Sequence, residues 1–247
     1  MATLGPWKAT EFYVNAGTGF HSNNAIGATI KVDSEGNAAD PVTPLVRAQG
    51  AEVGVRTVAV PHLQSTVSLW TLRLDSELVY NGDLGATEPG DASSRWGIEF
   101  ANYYSPKSWL VFDGDVSWSH ARFSSGELDG LYVPEAVGIV VSGGASVDNY
   151  KRMFGSVRLR YFGPRALIED NSIQSEATTL VNLEAGYQVT RLARINFEVF
   201  NLLNETTSDI DYFFTSRLPG EPLSGVDDIH THPAVPRTAR ITLQVGF

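Results

Sequence analysis

Two histidines and two aspartates near the carboxy terminus have the side chains and the spacing of a metal site. His230 and His232 form an H-x-H pair, and Asp227 and Asp228 stand just before them. Alternate residues of an extended segment share a face, so both imidazoles could bind one metal ion. The sequence indicates no partner that would orient either ring. We therefore predict an exposed loop here and no metal site.

Hydrolytic chemistry has one candidate pair, Ser119 and His120. Neighbouring residues of a strand point to opposite faces, so these two side chains cannot hydrogen-bond directly, and no G-x-S-x-G turn is present. Gly17 and Gly19 begin a nucleotide-binding spacing, but Ser22 replaces its third glycine and no helical pattern follows. We predict that the protein is not an enzyme and has no cofactor.

The composition of the 247 residues excludes several classes of protein. The chain has no cysteine, which excludes disulfide scaffolds and thiolate metal sites. Its net charge is −10 without a cluster of lysine and arginine, so we predict no nucleic-acid partner. No stretch approaches the ~18 consecutive apolar residues of a membrane helix.

Alternation of apolar and polar residues is the main structural signal, and it recurs in about ten segments. In the last of them, Ile241, Leu243 and Val245 alternate with Arg240, Thr242 and Gln244. The links between segments are short and long in turn; the long ones are 21–47, 81–94, 121–135, 164–177 and 202–236. This asymmetry is typical of up-and-down antiparallel outer-membrane barrels, whose periplasmic turns are short and whose extracellular loops are long.

The alternation alone fits both a soluble sandwich and a membrane barrel. Aromatic residues near strand ends, such as Trp96, Tyr104 and Trp118, favour a transmembrane barrel with interfacial girdles. In a barrel the polar face lines a wet lumen, and even the neighbouring carboxylates of Asp113 and Asp115 are then a hydrated wall and no acid–base pair. The predicted lumen-lining residues are Arg73, Asp113, Asp115, Arg158, Arg160, Glu184, Glu198 and Arg240.

Four segments resemble TonB-dependent outer-membrane receptors. ATEFYVNAGTGFHSNNA resembles their Y-x-N-x-G-x-G-F-H-S-N-D pattern, with Asn24 in place of the final aspartate. GSVRLRYFGPRALIEDNS resembles a later strand and loop, INFEVFNLLNE the penultimate strand, and PRTARITLQVGF the terminal strand. The four matches follow the family order and span nearly the whole chain.

The resemblance implies a fold and a function. In that family a barrel of about 22 strands encloses a plug and imports scarce nutrients such as ferric siderophores or vitamin B12. This chain resembles about the last ten strands. We therefore expect residues 1–247 to be the carboxy-terminal part of such a barrel, incompletely closed, with the plug, the TonB box and the signal peptide absent. The alternatives are a small self-contained porin-like or structural barrel and a secreted binding sandwich.

The resemblance also implies partners and contact sites. The expected partners are outer-membrane lipid, the barrel assembly machinery, a small-molecule or metal-chelate ligand, and the TonB complex through the missing plug only. Phe247 is interpreted as the terminal assembly signal. Two loop clusters are candidates for substrate contact: His21, Ser22, Asn23 and Asn24, and Asp227, Asp228, His230 and His232. For the first cluster, local capping of the backbone by serine and asparagine is the simpler interpretation.

Overall fold

The structure is a computed structural model that describes residues 1–22, 25–32, 36–38, 41–81 and 86–246. Asn23, Asn24 and Phe247, three of the predicted functional positions, lie outside these residues. The elements within them are β1 Ala2–Trp7, β2 Thr10–Ser22, α1 Ala25–Thr29, β3 Leu45–Thr57, β4 Leu63–Leu74, β5 Leu78–Asn81, β6 Ala86–Pro89, β7 Ser93–Lys107, β8 Leu110–Phe123, β9 Ile139–Tyr150, β10 Met153–Phe162, β11 Thr178–Gln188, β12 Ala193–Phe200, β13 Ser208–Ser216, β14 Val226–Pro233 and β15 Thr238–Val245.

Eleven strands form one antiparallel sheet in the order β1-β2-β3-β4-β7-β8-β9-β10-β11-β12-β15. Neighbours in the sheet follow one another along the chain, apart from two hairpins, β5–β6 and β13–β14, that stand outside it. This order confirms the predicted all-β, antiparallel, up-and-down architecture. Within the described residues β1 and β15 each have one neighbour, so the sheet is not closed.

The connections alternate in length as the sequence predicts. The turn from β1 to β2 consists of Lys8 and Ala9, and the turn from β9 to β10 of Lys151 and Arg152. All four residues have positive φ, between 48° and 71°. Tight hairpin turns need this conformation at both central residues, because it matches the twist of the flanking strands. The opposite ends of β2, β9 and β10 carry long loops.

Several elements differ from the sequence-based expectation, among them the five-residue helix α1, which lies in the predicted link 21–47. Strand β1 was not predicted, because Gly5 and Pro6 interrupt its alternation. Hairpin β13–β14 lies inside the segment 202–236, which was predicted as a loop without strands, and hairpin β5–β6 overlaps the predicted loop 81–94. The long loops are therefore partly ordered by their own backbone pairing.

The two faces of the sheet differ in chemistry. We call the face that carries Glu52 and Asp113 the inner face, and the face that carries Val53 and Trp118 the outer face. The outer face exposes large apolar side chains along the strands. Aromatic pairs lie near both ends of the strands on this face. The ring centroids of Trp96 and Trp118 are 4.9 Å apart near the long loops, and those of Tyr104 and Phe112 are 6.4 Å apart near the short turns. Two such rows are the expected interfacial girdles of a membrane barrel. No helix in the described ranges has the length and apolar character of a membrane span.

The buried apolar residues gather at the long-loop end. Val46, Leu74 and Phe123 are 4%, 9% and 1% exposed, and all three lie on the inner face where the strands meet the loops. The structured loops cover this part of the wall, so apolar side chains are withdrawn from water there. Lower on the same face the wall is polar.

Candidate functional site

The inner face carries a ladder of polar contacts between neighbouring strands. The Tyr13 hydroxyl donates a hydrogen bond to Glu52 Oε1 at 2.9 Å, and Asn15 Nδ2 donates to Glu52 Oε2 at 3.2 Å. At the other side of the sheet Arg240 binds Glu198 in a bidentate pair, Nε–Oε2 2.7 Å and Nη2–Oε1 2.9 Å. Bidentate pairing holds both side chains flat against the wall.

One contact of this ladder passes over an entire strand. Asp113 on β8 lies opposite Gly144 on β9, which in turn lies opposite Arg158 on β10. Arg158 forms an ion pair with Asp113. A Cβ atom added to Gly144 would meet Arg158 Cδ at 2.9 Å. The glycine therefore leaves the space that the arginine side chain needs to reach the second strand.

Seven of the eight predicted lumen-lining residues lie on the inner face: Asp113, Asp115, Arg158, Arg160, Glu184, Glu198 and Arg240. Asp115 accepts a hydrogen bond from Ser142 Oγ at 3.4 Å. Glu184 lies between Ser156 and Glu198 in the register. Arg160 lies between Ser142 and Leu180, close to the long loops.

The prediction for Arg73 is wrong. The register of β4 puts Arg73 on the outer face, on the same side of the strand as Val67 and Leu69, while Trp70 and Leu72 face inward. The reason is a reversal of polarity with height. Near the loops the inner side of the wall is covered and apolar, and the outer side has passed beyond the hydrocarbon, where a charge is tolerated.

The long loops are bonded to one another in a continuous layer above the wall, which we call the loop layer (residues 75–81, 86–92, 124–138, 163–177 and 201–237). Two hydrogen bonds connect successive loops, Ser124 N to Ala92 O at 2.7 Å and Tyr132 N to Glu169 O at 2.8 Å. A third bond joins the wall to a loop: Thr178 Oγ1, at the start of β11, donates to Ser208 O at 3.0 Å. Because main-chain groups take part, the layer holds the loops in fixed relative positions.

Arg165 is the centre of the loop layer, and its role was not predicted from the sequence. Its side chain is only 6% exposed. Arg165 Nε donates to Glu135 Oε2 at 2.6 Å, and Arg165 Nη2 lies 3.4 Å from Asp211 Oδ2. Asp211 also accepts a hydrogen bond from Ser208 Oγ at 2.7 Å. One guanidinium thus joins three loops that are distant in sequence, which no local motif reveals.

Glu135 is the least satisfied member of this cluster. Its Oε1 atom is buried without a hydrogen-bond partner, and its backbone has φ 64°. Burial raises the pKa of the Glu135 carboxyl above its ordinary value, and the Arg165 guanidinium acts in the opposite direction. The charged form is therefore tolerated in the loop layer at a cost.

The raised pKa of Glu135 gives a prediction for pH dependence. A carboxyl whose pKa is higher in the folded state opposes folding at neutral pH, and this opposition disappears as the pH falls through the folded pKa. Because Asp211 still pairs with the Arg165 guanidinium, we expect Glu135→Gln to equal or exceed the wild type in stability at neutral pH, by up to about 1 kcal/mol. The difference should vanish on mild acidification. Hydrogen exchange of loop amides between neutral and mildly acidic pH measures it, and a variant that is less stable at neutral pH would contradict the prediction.

Three of the described cavities touch the Arg165 cluster, and two of them exceed 300 Å³. The first, about 310 Å³, is lined on one side by Arg160 and Phe162 and on the other by Glu135, Arg165 and Asp209. The second, about 360 Å³, lies between Ser175, Asp211 and Ile229. Arg160 connects the first cavity with the inner wall, and no described residue forms an ion pair with its guanidinium. The arrangement can receive an anionic group at the level of the loops.

The sequence of most of the chain identifies the family to which this wall belongs. It matches the family model "TonB dependent receptor-like, beta-barrel" over residues 5–202. The chain belongs to the TonB-dependent receptor family. The search among curated proteins gave no match. The family assignment confirms the resemblance seen in the four sequence segments.

Solved TonB-dependent receptor structures share the fold. The ferric-catecholate import receptor Fiu from E. coli K12 superposes with a TM-score of 0.70 at 17% identity over 99% of this chain and 34% of that one. The ferric yersiniabactin uptake receptor FyuA from Yersinia pestis superposes with a TM-score of 0.71 at 14% identity, over 97% of this chain and 35% of that one. The copper transporter OprC superposes with a TM-score of 0.69 at 15% identity, over 97% of this chain and 38% of that one. The chain thus spans little more than a third of the length of these structures.

The predicted loop clusters of this TonB-dependent receptor chain have separate environments. His230 stacks on Phe214 with centroids 3.7 Å apart, and its Nε2 lies 2.7 Å from Ser216 Oγ. His232 Nδ1 lies 3.8 Å from Asp209 Oδ2. The two imidazoles have different partners, and the described ranges contain no group of three or more residues arranged to hold a metal ion.

The carboxylates and the first loop cluster are placed as follows. Asp228 lies on the same face of β14 as the two histidines, whereas Asp227 points to the other face and accepts a hydrogen bond from Thr215 Oγ1 at 2.5 Å. His21 and Ser22 end β2, where His21 lies opposite Val46. The structure does not bring the two clusters together through any described contact.

Proposed function

We propose that the protein serves in the cell outer membrane as the carboxy-terminal part of a receptor barrel that imports a scarce nutrient such as a ferric siderophore. Residues 1–247 supply wall and extracellular loops, and a plug elsewhere in the receptor receives energy from the TonB complex. The barrel assembly machinery inserts the wall into the membrane, with Phe247 as its signal. Family membership over residues 5–202 supports this proposal.

The observation that carries the proposal is the cavity beneath the loop layer. An anionic metal chelate needs a concave, water-accessible pocket with positive charge at the loop end of the lumen. The 310 Å³ cavity has such a charge in Arg160, whose guanidinium is exposed on the inner wall. Arginine is suited to this task because its donors match the oxygen atoms of carboxylates and catecholates in pairs.

Ligand binding tests the proposal directly. The intact receptor is titrated with a ferric catecholate and a ferric hydroxamate, and the quenching of tryptophan fluorescence gives the dissociation constants. We expect Arg160→Ala to weaken binding of the preferred chelate at least about tenfold, because a charge-assisted hydrogen bond is lost.

Arg191→Ala is the matched control. Arg191 is exposed in the short turn between β11 and β12, at the opposite end of the wall from the cavity. The Arg191→Ala substitution also removes one positive charge, but it does not alter the lumen near the loops, so the affinity for the chelate should not change. The proposal fails if the wild-type receptor binds neither chelate, or if the two alanine variants bind alike.

A further inference from the structure

Within the regular ladders, the charged residues of the outer face are few and confined to one height. In the regular ladders from β2 to β15, the outer positions that carry a formal charge are Arg47, Arg73 and Arg122. Each lies within three residues of the long-loop end of its strand. Within these ladders no aspartate or glutamate shares their face. Three positive charges thus stand together on a wall that is otherwise neutral.

The register brings the three arginines close to one another. Arg73 and Arg122 flank Ser94 on its two sides, and strands lie about 4.8 Å apart, so their Cα atoms are separated by about 10 Å. Arg47 stands two residues beyond Gln49, the partner of Arg73 on β3. The three positions therefore form a compact basic row across β3, β4, β7 and β8.

The aromatic girdle fixes the height of this row. Trp96 and Trp118 lie directly below it, with Trp96 opposite Thr71 on one side and His120 on the other. Tryptophan rings settle at the boundary between hydrocarbon and headgroups, so residues one step nearer the loops lie among the headgroups. This is the outer leaflet, because the long loops of such barrels are extracellular.

The guanidinium groups of the row are available to an anion. Among the described residues none forms an ion pair with Arg47 or Arg73, and both side chains are exposed. Among the described residues Asp75 lies next to the row, and its backbone N–H donates to Arg47 O at 3.1 Å. Arg122 is held in place, because its Cζ atom lies 3.3 Å from the centroid of the Tyr132 ring and its Nη1 donates to Ala121 O at 2.9 Å, which leaves its other guanidinium nitrogens for an anion. The row thus consists of Arg122, whose guanidinium is fixed by the Tyr132 ring, beside Arg47 and Arg73, which have no ion-pair partner among the described residues.

We propose that Arg47, Arg73 and Arg122 form a binding site on the outside of the barrel for the phosphate groups of outer-leaflet lipids. Arginine binds phosphate in a bidentate manner, and a basic row at headgroup height beside an apolar wall matches a lipid with a phosphorylated headgroup and acyl chains. The inference rests on the outer-membrane location in the proposed function, but it is independent of the imported substrate. A receptor could fail one test and pass the other.

Lipid retention tests the site. The receptor is extracted from outer membranes in a non-ionic detergent, and bound lipid is measured by native mass spectrometry after addition of bisphosphorylated lipid A or of phosphatidylethanolamine. We expect the wild type to retain lipid A in preference. Arg47→Gln with Arg73→Gln should weaken retention by roughly 25-fold, about fivefold for each charge at a membrane surface.

Two control variants distinguish loss of this site from a general loss of positive charge and from poor folding. Arg160→Gln removes a charge at the same height from the inner face, and it should leave lipid A retention unchanged. Arg47→Lys with Arg73→Lys keeps the charges but loses the bidentate geometry, and it should retain lipid A at an intermediate level even if the glutamine variant does not accumulate. Equal retention by wild type and both double variants would overturn the proposal. Displacement of lipid A by millimolar inorganic phosphate would also overturn it, since the site would then accept free phosphate.

Discussion

Replacing Arg165 with alanine opens the loop layer. The substitution leaves two carboxylates without their cation, Asp211, which is only 4% exposed, and the half-buried Glu135. Removing one partner of a buried ion pair typically costs about 3–5 kcal/mol, because the remaining charge has lost its compensation. Hydrogen exchange of the amides of Tyr132 and Glu135, which bond across loops, should accelerate by roughly two to three orders of magnitude.

Two further variants test whether the buried charge of Arg165 causes this acceleration of exchange. Arg217→Ala is the matched control, since Arg217 lies in the same layer but is exposed, and among the described residues its side chain bonds only to the carbonyl of Glu221. It should leave exchange unchanged. The triple variant Arg165→Met, Glu135→Gln, Asp211→Asn removes the charges together and should recover much of the loss. If Arg165→Ala exchanges like the wild type, Arg165 does not hold the loops together.

Valine at position 97 destabilises the wall itself. A Cβ atom at Gly97 would meet Trp118 O at 2.5 Å and Trp70 Cζ2 at 2.7 Å. The carbonyl belongs to the backbone of the neighbouring strand and cannot move without disturbing the hydrogen bonds of the ladder. The added side chain therefore strains the two strands. We expect Gly97→Val to lower the free energy of unfolding by about 2–3 kcal/mol. The temperature at which the folded band disappears from unboiled gels measures the change.

The same substitution at Gly17 provides the comparison. Gly17 also lies within the sheet, but no atom comes within 4 Å of an added Cβ. Valine favours strands, so Gly17→Val should be neutral or slightly stabilising. If both valine variants behave alike, close packing of Trp70 over Gly97 is not what limits this position.

The fold was predictable because the membrane imposes a simple pattern on each strand. A side chain at a membrane-spanning position faces either lipid or water, so Val53 and Glu52, or Ile241 and Arg240, alternate strictly and locally. The lengths of the links then gave the order of the strands. Neither inference requires knowledge of which strands are neighbours.

The candidate site was predictable only in part, for the opposite reason. The rule of polar inside and apolar outside ends where the loops begin, and the prediction for Arg73 failed at that height. Arg165 joins Glu135 and Asp211, 30 and 46 residues away along the chain. A contact of that kind depends on how separate loops fold over one another, which alternation within a single strand does not encode.

The bonding between successive loops has a consequence for how such receptors change their ligand over evolutionary time. A loop that is exchanged alone must still present the backbone groups that its two neighbours need, such as the carbonyl of Ala92 for Ser124. Recombination at a single loop therefore disrupts hydrogen bonds to the two neighbouring loops that the new loop does not restore. New specificities are accordingly expected to be inherited as a block of adjacent loops, while the wall beneath them stays the same.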